Sequence, residues 1–350
     1  MKTFFRVLLA LVLLVLILAL RTLYHAGSFK SLKPHKPSQE TWIKGMMGAE
    51  DITIDPATGM ALVSSCDRRQ VRSGGTAQGA IFQIDASSPT PVPVNLTAGL
   101  DLPEFQPHGI SLYADPADGT KWVFAVNHRS DGQFVEIFQY TDTALVHSAS
   151  IQSPELKSPN DVVGVGKRAF YFTNDHDQSN GGGVSSIKDF LIIGTGQVGY
   201  FDGEQAVILD KGIRYANGIT ASPDGKSLYM AACTDGAIYV YQREPFQKIR
   251  EIECGTGVDN LEWDAEGNLW AGAHPKMLAF LGHAQKAEKR SPSQVLKINL
   301  QDPANPIVDE IYLNNGNPLS GSSVAAVYRN RLFIGSVFED GVLMLEKEKW

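Results

Sequence analysis

The chain has 350 residues, 43% of them hydrophobic and 20% charged, a balance that excludes a disordered or low-complexity protein and allows one large domain or two ordinary ones. Thirty-eight acidic residues against 31 basic ones give a formal net charge of −7, with no lysine or arginine run through the body, which argues against nucleic acid as a partner. Three cysteines, Cys66, Cys233 and Cys254, match no zinc or redox spacing and could form at most one disulfide.

From Phe4 to Leu20 the chain is apolar except for Arg6, and Arg21 follows at once. Residues 1–24 therefore read as a membrane-targeting segment, 25–40 as a polar linker and 41–350 as the folded body. The stretch LALRTL after the apolar core offers no Ala-x-Ala-like cleavage site, so an uncleaved signal anchor is the expected form, although the run is at the short end of the roughly 17–25 residues of a spanning helix. Cleavage would instead make the protein secreted. Lys2 and Arg6 precede the segment while Arg21, Lys30, Lys33 and Lys36 follow it, so the positive-inside rule does not set its orientation. The tripeptide Asn95-Leu96-Thr97 is a glycosylation acceptor at Asn95 that suits a lumenal or extracellular body.

Beyond residue 40 six segments combine a turn with an aromatic or apolar strand: DPATGMALVSS (55–65), DPADGTKWVFAV (115–126), VGKRAFYFTN (165–174), SPDGKSLYMAA (222–232), DAEGNLWAGA (264–273) and YRNRLFIGSV (328–337). Each reads as a hairpin, and each follows a short strand with a polar start. Those starts, Glu50, His108, Asn160, Asn217, Asp259 and Ser322, are 58, 52, 57, 42 and 63 positions apart. A repeat near fifty residues without helical periodicity predicts an all-β fold, a six-bladed β-propeller of four strands per blade. The uneven spacing leaves a two-domain β-sandwich as the competing architecture. In a propeller, the starts of the innermost strands converge on one mouth of the central channel.

Glu50, Asp51, Asn160, Asp161, Asn217, Asp259 and Asn260 would bring carboxylate and amide oxygens to that mouth. Hard oxygen donors in such number suit Ca²⁺ better than Mg²⁺ or Zn²⁺. A cation there, with an open position, could polarise a carbonyl while a base activates water. His108 starts the second repeat and His128 lies on the strand after it, so the two could touch and share a proton; the competing role for each is a hydrogen-bonded structural residue. His176 and His274 read as loop-stabilising residues. No Gly-x-Ser-x-Gly elbow is present, and Gly181-Gly182-Gly183, without a following Lys-Ser/Thr, reads as a surface loop and not a phosphate cradle.

At these residues the sequence resembles the paraoxonase family of calcium-dependent arylesterases and lactonases. The segments that carry the resemblance are GAEDITID, PHGIS, AVNH, SPNDVVGVG, FYFTNDH, YANGITASPDGKSLYMA, VDNLEWD, LWAGAHP and GSSVAAVYRNRLFIGSVF, in order from about residue 48 to 338. The resemblance implies two calcium ions in the channel. A catalytic ion would be held by Glu50, Asn160, Asn217, Asp259 and Asn260, and a structural one by Asp51, Asp161 and the Ile110 carbonyl. It also implies that His108 and His128 form the family's histidine dyad, without deciding which is the general base, and that the hydrophobic N-terminus stays attached. The chain departs from the family in three places. It lacks the cysteines that would staple the two ends, so closure must be non-covalent. Ala273 stands where many members carry a free cysteine. Ser65-Cys66-Asp67-Arg68-Arg69 replaces a more apolar and aromatic segment of the pocket rim, whereas Tyr215, Phe280 and Val337 match apolar wall positions. A charged rim beside an apolar wall favours a substrate with a polar or anionic end.

Three functions follow as expectations: a membrane-tethered, calcium-dependent hydrolase of lactones and aryl esters; a sugar-lactone hydrolase of the gluconolactonase or strictosidine-synthase-like propellers; or a non-catalytic, calcium-stabilised propeller that assists membrane-protein assembly.

Overall fold

A computed structural model describes residues 1–178 and 183–350 of the chain. Its body is a ring of six four-stranded antiparallel sheets, as the repeat predicts. The first blade is built from Ala49–Ile54, Met60–Ser65, Ala80–Asp85 and Val94–Asn95, and the second from Pro107–Ala114, Lys121–Arg129, Gly132–Tyr140 and Leu145–Gln152. The third takes Pro159–Gly164, Phe170–Asn174, Gly196–Phe201 and Ala206–Ile213; the fourth, Ala216–Ala221, Ser227–Ala232, Ala237–Gln242 and Gln247–Glu253. Gly257–Trp263, Leu269–His274, Gln294–Asn299 and Ile307–Leu313 form the fifth. Each turn-plus-strand segment recognised in the sequence is the hairpin between the first and second strands of a blade.

The sixth blade draws on both ends of the body. Ser322–Tyr328, Arg331–Ser336 and Asp340–Glu346 are joined at the outer edge by Glu40–Met47, with Glu40 opposite Leu345 and Trp42 opposite Leu343. Hydrogen bonds thus close the ring where a staple is lacking, and all three cysteines are free thiols. Adjacent blades pack through six separate apolar wedges: Ile52, Val63, Val324 and Phe333 fill the one across the closure, and Phe124, Val162, Phe170 and Phe172 the one between the second and third blades. The first strands, buried on both faces in blades one and three, touch one another in ring order and line the channel.

Among the described residues four α-helices lie outside the sheets: α1 (Lys2–His25), α2 (Arg68–Arg72), α3 (Gly183–Phe190) and α4 (Met277–Gln285). Of the triple glycine, Gly181 and Gly182 lie outside the described residues, and Gly183 opens α3. The 24 residues of α1 have a mean hydropathy of 2.9 over their most apolar window, none of it buried against the body. At about 1.5 Å per residue the helix is long enough to cross a bilayer. The stretch after it is not a free tether. Ala26 accepts a hydrogen bond from the Met277 N–H at 3.0 Å, and His35 exchanges backbone hydrogen bonds with Leu313 at 2.8 and 3.0 Å. Thr22 Oγ1 donates to the Phe190 carbonyl at 2.6 Å, so the end of α1 is fastened to α3.

Candidate active site at the channel mouth

All six inner strands begin with a break in register against their neighbours. The breaks fall between Ala49 and Asp51, Pro107 and Ile110, Pro159 and Val162, Ala216 and Ile219, Val258 and Leu261, and Ser322 and Val324. A bulge of this kind suspends the strict alternation of side chains, so Glu50 and Asp51, or Asn160 and Asp161, can serve two levels of the channel. Two glycines make the close approach possible. A Cβ on Gly109 would lie 2.5 Å from the Asp161 Cα, and one on Gly218 would lie 2.6 Å from the Asn260 Cα.

At the upper level Glu50, Asn160, Asn217, Asp259 and Asn260 are all at most 4% exposed. Glu50 Oε2 and the Oδ1 atoms of Asn160, Asn217 and Asn260 are buried with no hydrogen-bond partner among the described residues. Leaving one such acceptor bare costs about 1–3 kcal/mol, so four together call for a cation. The rest of the set is held firmly: Asn260 Nδ2 donates to Glu50 Oε1 at 2.7 Å, Ser323 Oγ donates to the Glu50 carbonyl at 2.5 Å, and His274 Nε2 lies 2.7 Å from Asp259 Oδ2. Burial, chiefly, and the Asp259 charge raise the Glu50 carboxyl to about 7, against the lowering pull of Arg68 and the Asn260 hydrogen bond. Among the described residues no three carboxylate, imidazole or thiol groups form a metal cage; the set at the mouth is two carboxylates and three amides, which as all-oxygen donors fit Ca²⁺.

One level down, both carboxylates are hydrogen-bonded. Asp51 accepts from the Ile52 N–H at 2.9 Å and the Ile110 N–H at 2.7 Å. Asp161 accepts from the Val162 N–H at 2.7 Å and the Ile219 N–H at 2.6 Å. Each thereby ties its own blade to the next. Burial, and then repulsion from neighbouring carboxylates, pushes both well above the ordinary aspartate range. Ile110 contributes its N–H here.

His108 and His128 do meet, with His108 Nδ1 at 2.8 Å from His128 Nε2. They are cross-strand neighbours because the first two strands of blade two pair Pro107 with Asn127. His128 Nδ1 lies 2.5 Å from Gln133 Oε1, its cross-strand partner over a tight turn. An amide oxygen only accepts, so Nδ1 of His128 carries the proton, His128 Nε2 accepts from His108 Nδ1, and His108 Nε2 keeps its lone pair. That lone pair is 3.6 Å from Glu50 Oε1. Burial, then the charges of Arg68, His128 and Arg72, hold His108 well below the ordinary histidine value, so the contact with Glu50 joins a neutral imidazole to the carboxyl and is no ion pair. Burial lowers His128 as well.

The rim differs from the expectation of free charges. Asp67 caps α2, its Oδ1 accepting from the Gln70 N–H at 3.0 Å. Arg68 turns inward, donating to the carbonyls of Gly48 at 3.0 Å and Pro107 at 2.8 Å, with its guanidinium 3.8 Å from Glu50. Arg69 donates to the Phe338 carbonyl at 3.0 Å and meets His283 Nε2 at 2.9 Å. The reason in each case is the short helix α2, whose side chains find carbonyls of neighbouring loops before they reach solvent. Phe280 and Val337 form the wall with Phe338 and Ala284; Tyr215 sits edge-on to His176 at 5.4 Å, in a left-handed conformation with φ 61°.

His274 is a correction: it ends a strand, and holds Asp259 on one side while Phe280 stacks on the other at 3.8 Å. Its place opposite Gly257, two residues before Asp259, brings the two side chains together. His283, Phe338 and Gln133 were also missed; only Gln133 had a local cue, the tight turn that sets it opposite His128. His176, bridging Asp175 at 2.8 Å and Asp189 at 3.0 Å, fastens a loop to α3. Asn95 is exposed at the edge of the first blade, its Oδ1 accepting from the N–H and hydroxyl of Thr97 at 2.9 Å each.

Comparison with known proteins agrees with this geometry. Residues 33–344 match the family model described as Arylesterase. The chain is 33% identical to rat serum paraoxonase/arylesterase 2, over 85% of this chain and 86% of that protein, and 33% identical to rabbit serum paraoxonase/lactonase 3, over 89% and 90%. Among solved structures it is similar to a gluconolactonase from Xanthomonas campestris, with a TM-score of 0.53, 14% identity and coverage of 88% and 89%, a likeness of fold. The propeller, the oxygen-lined mouth and these relatives together make the chain a member of the arylesterase, or paraoxonase, family.

Proposed function

We propose that the protein is a calcium-dependent hydrolase of carboxylic esters, lactones and aryl esters among them, tethered to a membrane by α1. The observation that carries this reading is the set of four bare oxygens, on Glu50, Asn160, Asn217 and Asn260, facing the same mouth as the histidine pair. With Asp259 they would hold the reactive ion; Asp51, Asp161 and the Ile110 carbonyl would hold a second, structural one. Ca²⁺ bound at the mouth supplies Lewis-acid polarisation of the ester carbonyl.

The chain's own residues do the rest. His108 Nε2, neutral and unprotonated, takes the proton of a water as its oxygen bonds to the carbonyl carbon; the His128–Gln133 pair fixes the tautomer that leaves that nitrogen free. When the ester C–O bond breaks, the same proton returns to the departing alkoxide. Burial first, and then the Arg68 charge, keep the resting His108 neutral, and His274 holds Asp259 in place. Sulfur and serine nucleophiles are not needed.

The relatives named above are arylesterases and lactonases of substantial identity, whereas the gluconolactonase likeness is one of fold. An ester panel separates the two readings: the full chain in neutral detergent should hydrolyse phenyl acetate and an aliphatic lactone faster than gluconolactone. The His108→Gln variant should lose about 10²–10⁴-fold in kcat/KM. A folded His108→Gln protein with undiminished activity would remove the histidine mechanism, and the same variant with full cellular function would favour the non-catalytic scaffold. A body in the secretory lumen or outside the cell also predicts a glycan, seen as a mobility shift that Asn95→Gln abolishes.

A further inference from the structure

Three arginines crowd α2, and they are not equivalent. Arg68 and Arg69 give their N–H groups to protein carbonyls and to His283. Arg72, the last residue of the helix, is exposed and has no hydrogen bond or carboxylate partner among the described residues. Its guanidinium nevertheless does not point away from the mouth: it lies 5.6 Å from the centre of the Phe338 ring, and its charge reaches both His108 and Tyr215.

From Arg72 a series of ring contacts runs inward, its outer member Phe338 buried and covered by Arg69 at 4.7 Å. The Phe338 ring is 5.8 Å from Phe280, Phe280 is stacked at 3.8 Å on His274, and His274 is bonded to Asp259 of the oxygen set. A cation stands at the outer end of this series and the hydrolytic groups at its inner end. In a chain of net charge −7, a positive group focused on the mouth draws anions toward it.

We infer that Arg72 is the anion-binding end of the substrate site, and that the protein acts on esters or lactones with an apolar or aromatic middle and a carboxylate or phosphate remote from the hydrolysed carbonyl. The inference rests on the hydrolase reading for the position of the carbonyl. A guanidinium forks onto either anion with two charge-assisted hydrogen bonds, and the half-buried Phe280 supplies the apolar contact for the body between.

The test compares 4-acetoxybenzoate, its methyl ester and 4-acetoxyphenyl phosphate as substrates of the calcium-loaded full chain in neutral detergent. The unaltered protein should prefer the anionic esters, and Arg72→Gln should lower the ratio of anionic to neutral kcat/KM about tenfold or more, mainly through KM, with partial recovery in Arg72→Lys. The larger loss, on the benzoate or the phosphate, names the anion. Equal losses on charged and neutral esters, or no preference in the unaltered protein, would overturn the inference. Calorimetric binding of 4-acetamidobenzoate, an amide in place of the ester, reads the same contact without turnover. A roughly tenfold weaker Kd in Arg72→Gln supports the anion subsite even if no ester is cleaved, an outcome that would sink the hydrolase reading alone; an unchanged Kd overturns the subsite.

Discussion

The upper and lower levels of the channel are built from adjacent residues and the same bulges, yet they differ in how their oxygens are used. Glu50 and Asn160 each leave an oxygen bare at the mouth, while their chain neighbours Asp51 and Asp161 accept backbone hydrogen bonds from the next blade. The upper level resembles a site that is kept ready at a cost in stability; the lower resembles a fastening between blades. Buried carboxylates gather at both levels, so charge alone does not separate a ligand from a staple. The hydrogen-bond partners do.

That contrast predicts opposite phenotypes. Asn260→Ala removes a bare oxygen and the donor that orients Glu50, and kcat/KM for phenyl acetate should fall roughly 10²-fold or more with little change in Tm. Asp161→Ala strips the partners from the Val162 and Ile219 N–H groups, and should lower Tm by roughly 5–10 °C in a calorimetric scan. If both variants lose stability equally, the division into a reactive and a structural level fails.

The Glu50, Asp51 and Asp161 carboxyls lie above their ordinary values in the folded chain, Glu50 at about 7 against 4.5. A raised folded value contributes stability that is fully present below the unfolded pKa and lost as pH rises through the folded one. Protein stripped of metal should therefore lose several degrees of Tm between about pH 4.5 and 7, and added calcium, by favouring the charged forms, should restore it. A Tm that is flat across that window in stripped protein would contradict the account. A smaller effect concerns His108, which Arg68 helps to hold low. Protonation of His108 ends its service as a base, so the acid limb of kcat/KM should lie below pH 6.5 and move upward by up to about one unit in Arg68→Met.

Much of this was legible from sequence, for a physical reason. The turns and strand starts recur because each blade repeats the same inner hairpin, so Asn160 and Asp259, 99 positions apart, could be placed at one mouth. The paired polar residues at those starts, Asn160-Asp161 among them, lie at breaks in strand register. What stayed hidden came from loops between blades. Arg68 and Arg69 read as a charged rim because a sequence does not show which carbonyls a short helix will find. His274 was taken for a loop residue because its partner Asp259 lies 15 positions earlier, on a neighbouring strand. The docking of residues 26–36 on the fifth blade, through main-chain bonds at Ala26 and His35, likewise has no side-chain signature.

Whether the bare oxygens at the mouth hold the ion on which hydrolysis depends is decided by titrating the full chain with a calcium chelator while bound metal and phenyl acetate hydrolysis are measured on the same samples. Activity should fall in step with the loss of metal and return when calcium is added back. Hydrolysis that persists at full rate after the metal is gone would contradict that dependence.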